Sequence, residues 1–186
     1  MKNLFLLVTS LLLLGSNCKK SKPTNPVNQL PPETQTGANT FGCLVDGEVF
    51  KPGGAQLSGG SLNAIYQYLI PGTSSGYTFG VSAKNQKESC LYKTVAFGFD
   101  SVAMRVGVYP LAVRKNGYGG GAYQEFPCGQ PFKEYMTNNI VRGELHLKKF
   151  DLTSQIASGT FWFTAVNFNG DTVKITDGRF DVRYTQ

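Results

Sequence analysis

One histidine and one tryptophan stand in 186 residues, and charged side chains make up only 16% of the chain. A solitary His146 cannot complete a zinc set, and no Cys-x-x-Cys is present to supplement it. A Ser-His-Asp arrangement would have to use that same histidine, and no G-x-S-x-G supplies a nucleophile. The apolar run at the start, residues 4–14, spans roughly 16 Å as a helix, about half a hydrocarbon core. That is too short for a transmembrane helix. The glycines at 119–121 lack a following Gly-Lys-Ser/Thr, so GYGGGAYQEF reads as a flexible loop rather than a phosphate cradle.

What is abundant points elsewhere. Gly 22, Phe 13 and Tyr 9, with few patterns of helical period, favour an all-β protein rich in turns. The net charge of +6 is concentrated at the start, in Lys2, Lys19, Lys20 and Lys22. From residue 34 onward, 14 basic side chains face 11 acidic ones, a net of +3 scattered over Lys51, Lys84, Lys93, Arg114 and Lys133. Phosphate backbones are held by clustered charge, so no nucleic-acid partner is expected.

Lys2, the apolar run, and then Gly15 and Ser16 have the layout of a secretory signal. The segment LLLLGSNCKK resembles a bacterial lipoprotein signal, in which the cysteine becomes the first mature residue and is acylated. Leu14 lies four residues before Cys18 and Asn17 immediately before it, a departure from the usual spacing. Residues 1–17 are thus expected to be a signal peptide and Cys18 the lipid (palmitate) attachment site, with the bilayer as its partner. The alternative is an ordinary secreted protein in which Cys18 is removed or disulfide-bonded. KKSKPTNPVNQLPPETQT has four prolines and no aromatic residue, so residues 18–36 read as lipidated cysteine and flexible tether. Its lysines would lie near anionic headgroups.

Residues 37–186 read as a single domain of short apolar runs separated by Gly, Pro, Asn and Asp. The expected fold is an antiparallel β-sandwich of about 8–10 strands with a C-terminal β-meander, or alternatively a small β-barrel. Asp46-Gly47 is a hairpin signal in FGCLVDGEVF. In the last segment Asp177-Gly178 reads as a second two-residue turn, placing Val173, Ile175, Phe180, Val182 and Tyr184 on one face. For the preceding turn, a three-residue loop of Phe168, Asn169 and Gly170 buries Phe161, Phe163 and Ala165 and turns Trp162 outward. Burying two phenylalanines at roughly 1.5–3 kcal/mol each outweighs burying one Trp with a Thr hydroxyl. In GELHLKKF, Leu145 and Leu147 alternate with Glu144, His146 and Lys148, putting the histidine on the polar side.

NTFGCLVDGEVFKP, SGTFWFTAVN and ITDGRFDVRY together resemble a family of Bacteroidota lipoproteins with a domain of unknown function. The likeness covers roughly residues 38–52 and 140–186. It implies a cell-envelope location and a β-rich fold, and brings no activity, cofactor or catalytic residue. Outer-face lipoproteins of that phylum carry acidic residues just after the acylated cysteine, where this chain has Lys19, Lys20 and Lys22. The resemblance therefore implies outer-membrane anchoring with the periplasm-facing side favoured.

With Cys18 acylated, three cysteines remain. Cys43 lies in an apolar strand, where a free thiol packs as a small hydrophobe. Cys90 and Cys128 both lie beside polar turn sequences and are the expected disulfide, although spacing leaves other pairings open. No catalytic residue, metal site or cofactor is assigned. Glu125, Glu134 and Glu144 are carboxylates available to a glycosidase, but a strand or loop Glu is more often simply solvated. The aromatic stretch from Lys115 to Tyr135 offers Tyr118, Tyr123 and Phe126 which, with Trp162, are the candidate ligand-binding rings. The competing reading has these rings capping the end of the sandwich. The function expected is a non-catalytic envelope lipoprotein that binds a glycan, peptide or partner protein. An envelope carbohydrate or cell-wall hydrolase and a structural assembly subunit are the alternatives.

Overall fold

Apolar residues at every second position pair into a single curled sheet that is antiparallel except where Gly53 and Gly54 meet Asn85 and Gln86 and where Leu111 meets Gly119. The computed structural model describes residues 25–54, 60–69, 71–72, 76–88, 90–115 and 117–186; Cys18 and the signal segment lie outside them. Among these residues there are twelve strands: β1 (Thr40–Val45), β2 (Glu48–Phe50), β3 (Gly53–Gly54), β4 (Leu62–Tyr68), β5 (Tyr77–Glu88) and β6 (Leu91–Asp100), followed by β7 (Gly107–Leu111), β8 (Tyr118–Pro127), β9 (Lys133–Met136), β10 (Gly143–Asp151), β11 (Ile156–Val166) and β12 (Thr172–Arg183). The protein is all-β, and its only helical element among the described residues is one 3-10 turn, Pro26–Gln29.

Strands β7, β8, β9, β10 and β11 close a small ring. Strand β8 reaches β11 at one end through β9 and at the other through β7 and β10. A wider closure follows from the tail after β12. Tyr66 N donates to Thr185 O at 2.8 Å and Thr185 N to Ala64 O at 3.0 Å, so β4 is stitched to the end of β12. Strand β1 occupies the earlier part of that same β12 edge, from Thr40↔Asp181 to Val45↔Ile175. Pairing edges in this way removes open templates for other chains.

The interior is aromatic. Phe97 contacts Phe161 at 5.0 Å and Phe180 at 5.3 Å between ring centroids, and Phe41 contacts Phe161 at 5.2 Å. Each buried ring contributes about 1.5–3 kcal/mol from area and roughly 0.5–1.5 more from ring pairing. Leu145, Leu147, Phe163, Ile175 and Val182 fill the remaining space. Cys43 is buried there, and desolvation pushes its thiol pKa well up.

Several expectations meet the structure directly. Asp46 and Gly47 adopt positive φ (48° and 87°) between Val45 and Glu48, the two-residue hairpin. The turn after β11 is the three-residue loop with Gly170 at φ 90°, and Asn167 N donates to Asp171 O at 3.0 Å across its base. Phe161, Phe163 and Ala165 are buried and Trp162 is 46% exposed. Strands β10, β11 and β12 form the C-terminal meander.

Asp177-Gly178, however, is no hairpin. Strand β12 runs straight through it, with Ile175 opposite Phe163 and Phe180 opposite Gly159. The pair forms a bulge. A tight turn and a one-residue bulge shift side-chain parity alike, so Val173, Ile175, Phe180, Val182 and Tyr184 still share the buried face. Partners on both edges, β11 and β1, hold β12 extended.

Gly119–Gly121 is likewise no loop but the interior of β8. A Cβ on Gly119 would lie 2.0 Å from the Phe99 ring and one on Gly121 2.8 Å from Phe163, so these glycines make room for inward phenylalanines. The strip of chain assigned by composition to a tether is also partly folded. From Asn25 to Thr36 it lies on the sheet, burying Leu30 and bonding Thr34 and Thr36 to Asp181. Three prolines prevent this segment from folding alone, but β1 and β12 supply the surface it needs.

Candidate functional site

The inward face of the barrel turns from apolar to charged at one end. Along β6, Phe99, Phe97 and Val95 point inward, and the next residue of that parity is Lys93. Cross-strand pairing carries this level sideways: Asn85↔Lys93, Lys93↔Glu125 and Glu125↔Lys133, one row over β5, β6, β8 and β9. Tyr123 lies two residues before Glu125 on the same inward face and is buried. The hairpin of β1 and β2 forms the opposite wall with Asp46, Glu48, Val49 and Phe50. The cavity between them measures about 520 Å3, within the range of small-ligand sites.

Glu125 is the electrostatic centre of this pocket. Tyr123 OH donates to its Oε1 at 2.6 Å, Lys133 Nζ lies 3.3 Å from Oε2 and Lys93 Nζ 3.9 Å from Oε1. Burial pushes the carboxyl pKa up, while the Tyr123 and Lys133 hydrogen bonds and the two ammonium charges pull it down. The balance falls below the ordinary value. Tyr123 is driven the opposite way, first by burial and then by donating to Glu125 and facing its charge. Its phenol is therefore locked as a protonated donor. Across the pocket, Asp46 Oδ1 accepts from Lys174 N at 2.8 Å, which fixes the hairpin against β12.

A disulfide joins the two turns on the rim. Cys90, before β6, is bonded to Cys128, after β8, with Cα atoms 5.0 Å apart, and Cys128 N donates to Cys90 O at 2.8 Å.

No protein-family model, curated protein or solved structure matches the chain.

The four aromatic candidates from the sequence do not converge. Tyr123 lines the barrel-end pocket, whereas Tyr118 is exposed at the far end of β8 with Lys115 Nζ 4.8 Å over its ring. Five residues separate them, so on one strand they face opposite sides. Phe126 stacks at 4.2 Å on Tyr92 and at 4.5 Å on Phe132, and Lys84 covers the other side of Tyr92 at 5.1 Å. Both faces of Phe126 are thus spent on packing, which leaves it unsuited as a stacking platform. Trp162 stands on a separate outer face. His146 is solvent-exposed beside Glu144, Nε2 to Oε2 3.0 Å. Among the described residues no group of three or more His, Cys, Asp and Glu could hold a metal ion.

Lys93 and Lys133 belong to the pocket although their sequence context reads as scattered surface charge. One signal was available for Lys93. It shares parity with Val95, Phe97 and Phe99, so a charge stands where the pattern calls for an apolar side chain, and only the end of a barrel admits that.

Proposed function

We propose that the protein is a membrane-anchored envelope lipoprotein whose β-domain binds a small carboxylate-bearing ligand in the barrel-end pocket without transforming it. The observation that carries this reading is the geometry at Glu125, whose carboxylate accepts from the Tyr123 phenol and is flanked by the ammonium groups of Lys133 and Lys93. A general acid or base works best with a pKa near the operating pH. Glu125 is instead held ionised by Tyr123, Lys133 and Lys93, and the Tyr123 phenol is held protonated. Groups pinned in this way recognise rather than react. Each lysine has three N–H donors; Lys133 makes one hydrogen bond to Glu125 and Lys93 only an ion pair at 3.9 Å, so both retain donors for a second carboxylate. The rings of Tyr123 and Tyr135, centroids 6.0 Å apart, and the apolar Val49 and Phe50 would pack the rest of such a ligand. A peptide C-terminus has this chemistry.

The envelope assignment is supported by the sequence: the short apolar run, the small residues, and Cys18 followed by lysines. The folded strip at residues 25–36 adds a physical consequence. Only about 25 Å of fully extended chain can separate Cys18 from Asn25, so an acylated Cys18 would keep the domain close to the headgroups. The Pro26–Gln29 turn packs beside β2, where Lys51 Nζ donates to Gln29 O at 3.1 Å. The pocket-lining hairpin would then lie on the membrane-proximal side.

Triglycine and triglycine amide form a discriminating pair of probes. Backbone amide NMR should show saturable shifts at Lys93, Glu125 and Lys133 with triglycine near 10 mM, enough to populate a weak site of about millimolar Kd. The amide should produce much smaller shifts, and Lys93→Gln with Lys133→Gln should abolish both. Equal shifts from the two probes, or none from either, would sink the reading.

A further inference from the structure

On the outer face of the meander, one residue of β11 faces two of β12. Phe161 pairs with Gly178 and Phe163 with Ile175, so Trp162 lies opposite both Thr176 and Asp177. Bulges are a recurrent device for re-aiming side chains beside functional sites. Here Asp177 adopts φ 53°, a left-handed conformation that only Gly, Asn and Asp adopt readily. The bulge brings Asp177 to the edge of a groove of about 360 Å3 that also holds Trp162, Glu144, His146, Arg179 and Glu33. On the other side of Trp162, Glu144 is its direct partner across β10.

The groups around the ring divide into engaged and free. Glu33 is ion-paired with Lys148, and Glu144 bonds His146. Arg179 turns Nε toward Asp177 O at 3.4 Å and one terminal nitrogen toward Pro31 O at 3.5 Å. The indole N–H of Trp162 and the carboxylate of Asp177 have no hydrogen-bond partner among the described residues. The groove therefore offers an exposed aromatic face, an unused donor, an unused carboxylate and the remaining N–H groups of a guanidinium.

We propose that this groove is a carbohydrate subsite that takes a neutral pyranose of an oligosaccharide. The C–H face of a pyranose packs on an aromatic ring through dispersion and weak C–H contacts. Asp177 accepts from a pair of neighbouring hydroxyls, and Arg179 donates to hydroxyl or ring oxygens. Charge argues for neutrality. Glu33 and Glu144 already have cationic or donor partners, the unpaired Asp177 carboxylate repels anions, and the Arg179 guanidinium two residues on disfavours cations. The site is independent of the barrel-end pocket, which lies inside the barrel.

Trp162 is the only tryptophan in the chain, so its fluorescence reports this groove alone. The full chain is titrated with cellohexaose, maltohexaose, mannohexaose and chitohexaose, following tryptophan emission. At least one should give a saturable change, and calorimetry should return the same affinity. Trp162→Ala should weaken that affinity at least tenfold, Asp177→Asn several-fold, and Trp162→Tyr should retain measurable binding. Both residues are exposed, and Asn tolerates left-handed φ, so melting temperatures should stay within a few degrees. Lys93→Gln with Lys133→Gln should leave sugar binding unchanged, which separates this test from that of the pocket. Failure of all four sugars to saturate the emission, or an affinity that survives Trp162→Ala, overturns the proposal.

Discussion

The backbone N–H of Gly37 donates to Asp181 Oδ1 at 2.7 Å, joining the strip before β1 to a carboxylate 144 residues later. The other oxygen, Oδ2, accepts from Thr34 Oγ1 at 2.6 Å, Thr36 N at 2.9 Å and Ala38 N at 3.2 Å. Asp181 is fully buried, and among the described residues no cation is bonded to its carboxylate. Burial pushes its pKa up, but the donors from Thr34, Thr36, Ala38 and Gly37 outweigh that and hold it below the ordinary value. Three backbone N–H groups and the hydroxyls of Thr34 and Thr36, the latter at 3.3 Å, replace the counter-ion.

Asp181→Asn should therefore destabilise the domain by about 3 kcal/mol, because an amide nitrogen would face N–H donors that need an acceptor. For a domain of this size that is a melting-temperature loss of roughly 6–12 °C. The pH dependence gives a second readout. A carboxyl whose folded pKa is depressed contributes stability that is complete above its unfolded value near 4 and is lost as pH falls through the folded value. Wild type should lose this increment on acidification below about pH 4, and the Asn variant should show a flatter acid limb. Parallel acid limbs would mean that Asp181 does not carry the strip.

Gly119→Ala should be costly although Gly119 lies in an extended strand. Its Cβ would fall 2.0 Å from the Phe99 ring, and Phe99 is buried with no room to retreat. Overpacking of this kind costs about 1–3 kcal/mol, a drop of roughly 2–12 °C in thermal unfolding. Gly117→Ala is the control with open space at its Cβ, but its φ of 84° adds backbone strain. A more direct check is Gly119→Ala combined with Phe99→Leu, which should recover part of the loss.

Replacing Cys90 and Cys128 together with Ser should cost about 3–4 kcal/mol by loop-closure entropy for a bridge across 38 residues. Chemical denaturation under oxidising conditions measures it. Since the bridge lies on the rim of the pocket, amide exchange should quicken at residues 91–93 and 125–128 more than in β10 or β11. Uniform quickening would assign the bridge to global stability alone.

The faces of the strands were legible from the sequence, and their connections were not always so. Alternation places Leu145 and Leu147 inside; with the gain from burying two rings it places Phe161 and Phe163, and with a parity change at Asp177-Gly178 it places the five residues from Val173 to Tyr184. Asp177-Gly178 shows the limit: a turn and a bulge require the same left-handed residues and impose the same parity, and only the neighbours β1 and β11 decide between them. Gly119–Gly121 was opaque for a related reason. A glycine run reads as loop unless the rings of Phe99 and Phe163, one strand or more away, are known to need the space. Composition correctly says that residues 25–36 lack a core of their own, yet it is blind to Asp181. For the pocket, Tyr123 and Glu125 were visible as an aromatic and a carboxylate, but the row from Asn85 to Lys133 exists only once four strands are in register.

Cys43 should be silent to thiol reagents in the native state. It is buried, and desolvation raises its pKa far above neutrality, so neither access nor thiolate is available. In protein with Cys18 blocked or replaced by Ser, Ellman's reagent should find no thiol before denaturation and one after. Native-state labelling faster than unfolding would place Cys43 at a surface rather than in the core.

Tyr123→Phe isolates the hydrogen bond at the heart of the pocket. The phenol donates to Glu125 at 2.6 Å, and its loss leaves a partly desolvated carboxylate with only Lys133 and Lys93. Glu125 is below the ordinary pKa because donors and cations outweigh burial; removing one donor lets burial count for more, so its pKa should rise. A depressed carboxyl stabilises the fold above its unfolded pKa near 4.3 and ceases to do so as pH falls through the folded value. In the Phe variant that window moves upward and its contribution shrinks, with a cost at neutral pH of about 1–2 kcal/mol. Carbon-13 NMR of the Glu125 carboxyl reads the titration midpoint directly. Lys133→Ala should move it in the same direction but less, since that ammonium is more than half exposed and screened by water. A midpoint unchanged by Tyr123→Phe would remove the reason for regarding this end of the barrel as a fixed-charge recognition site.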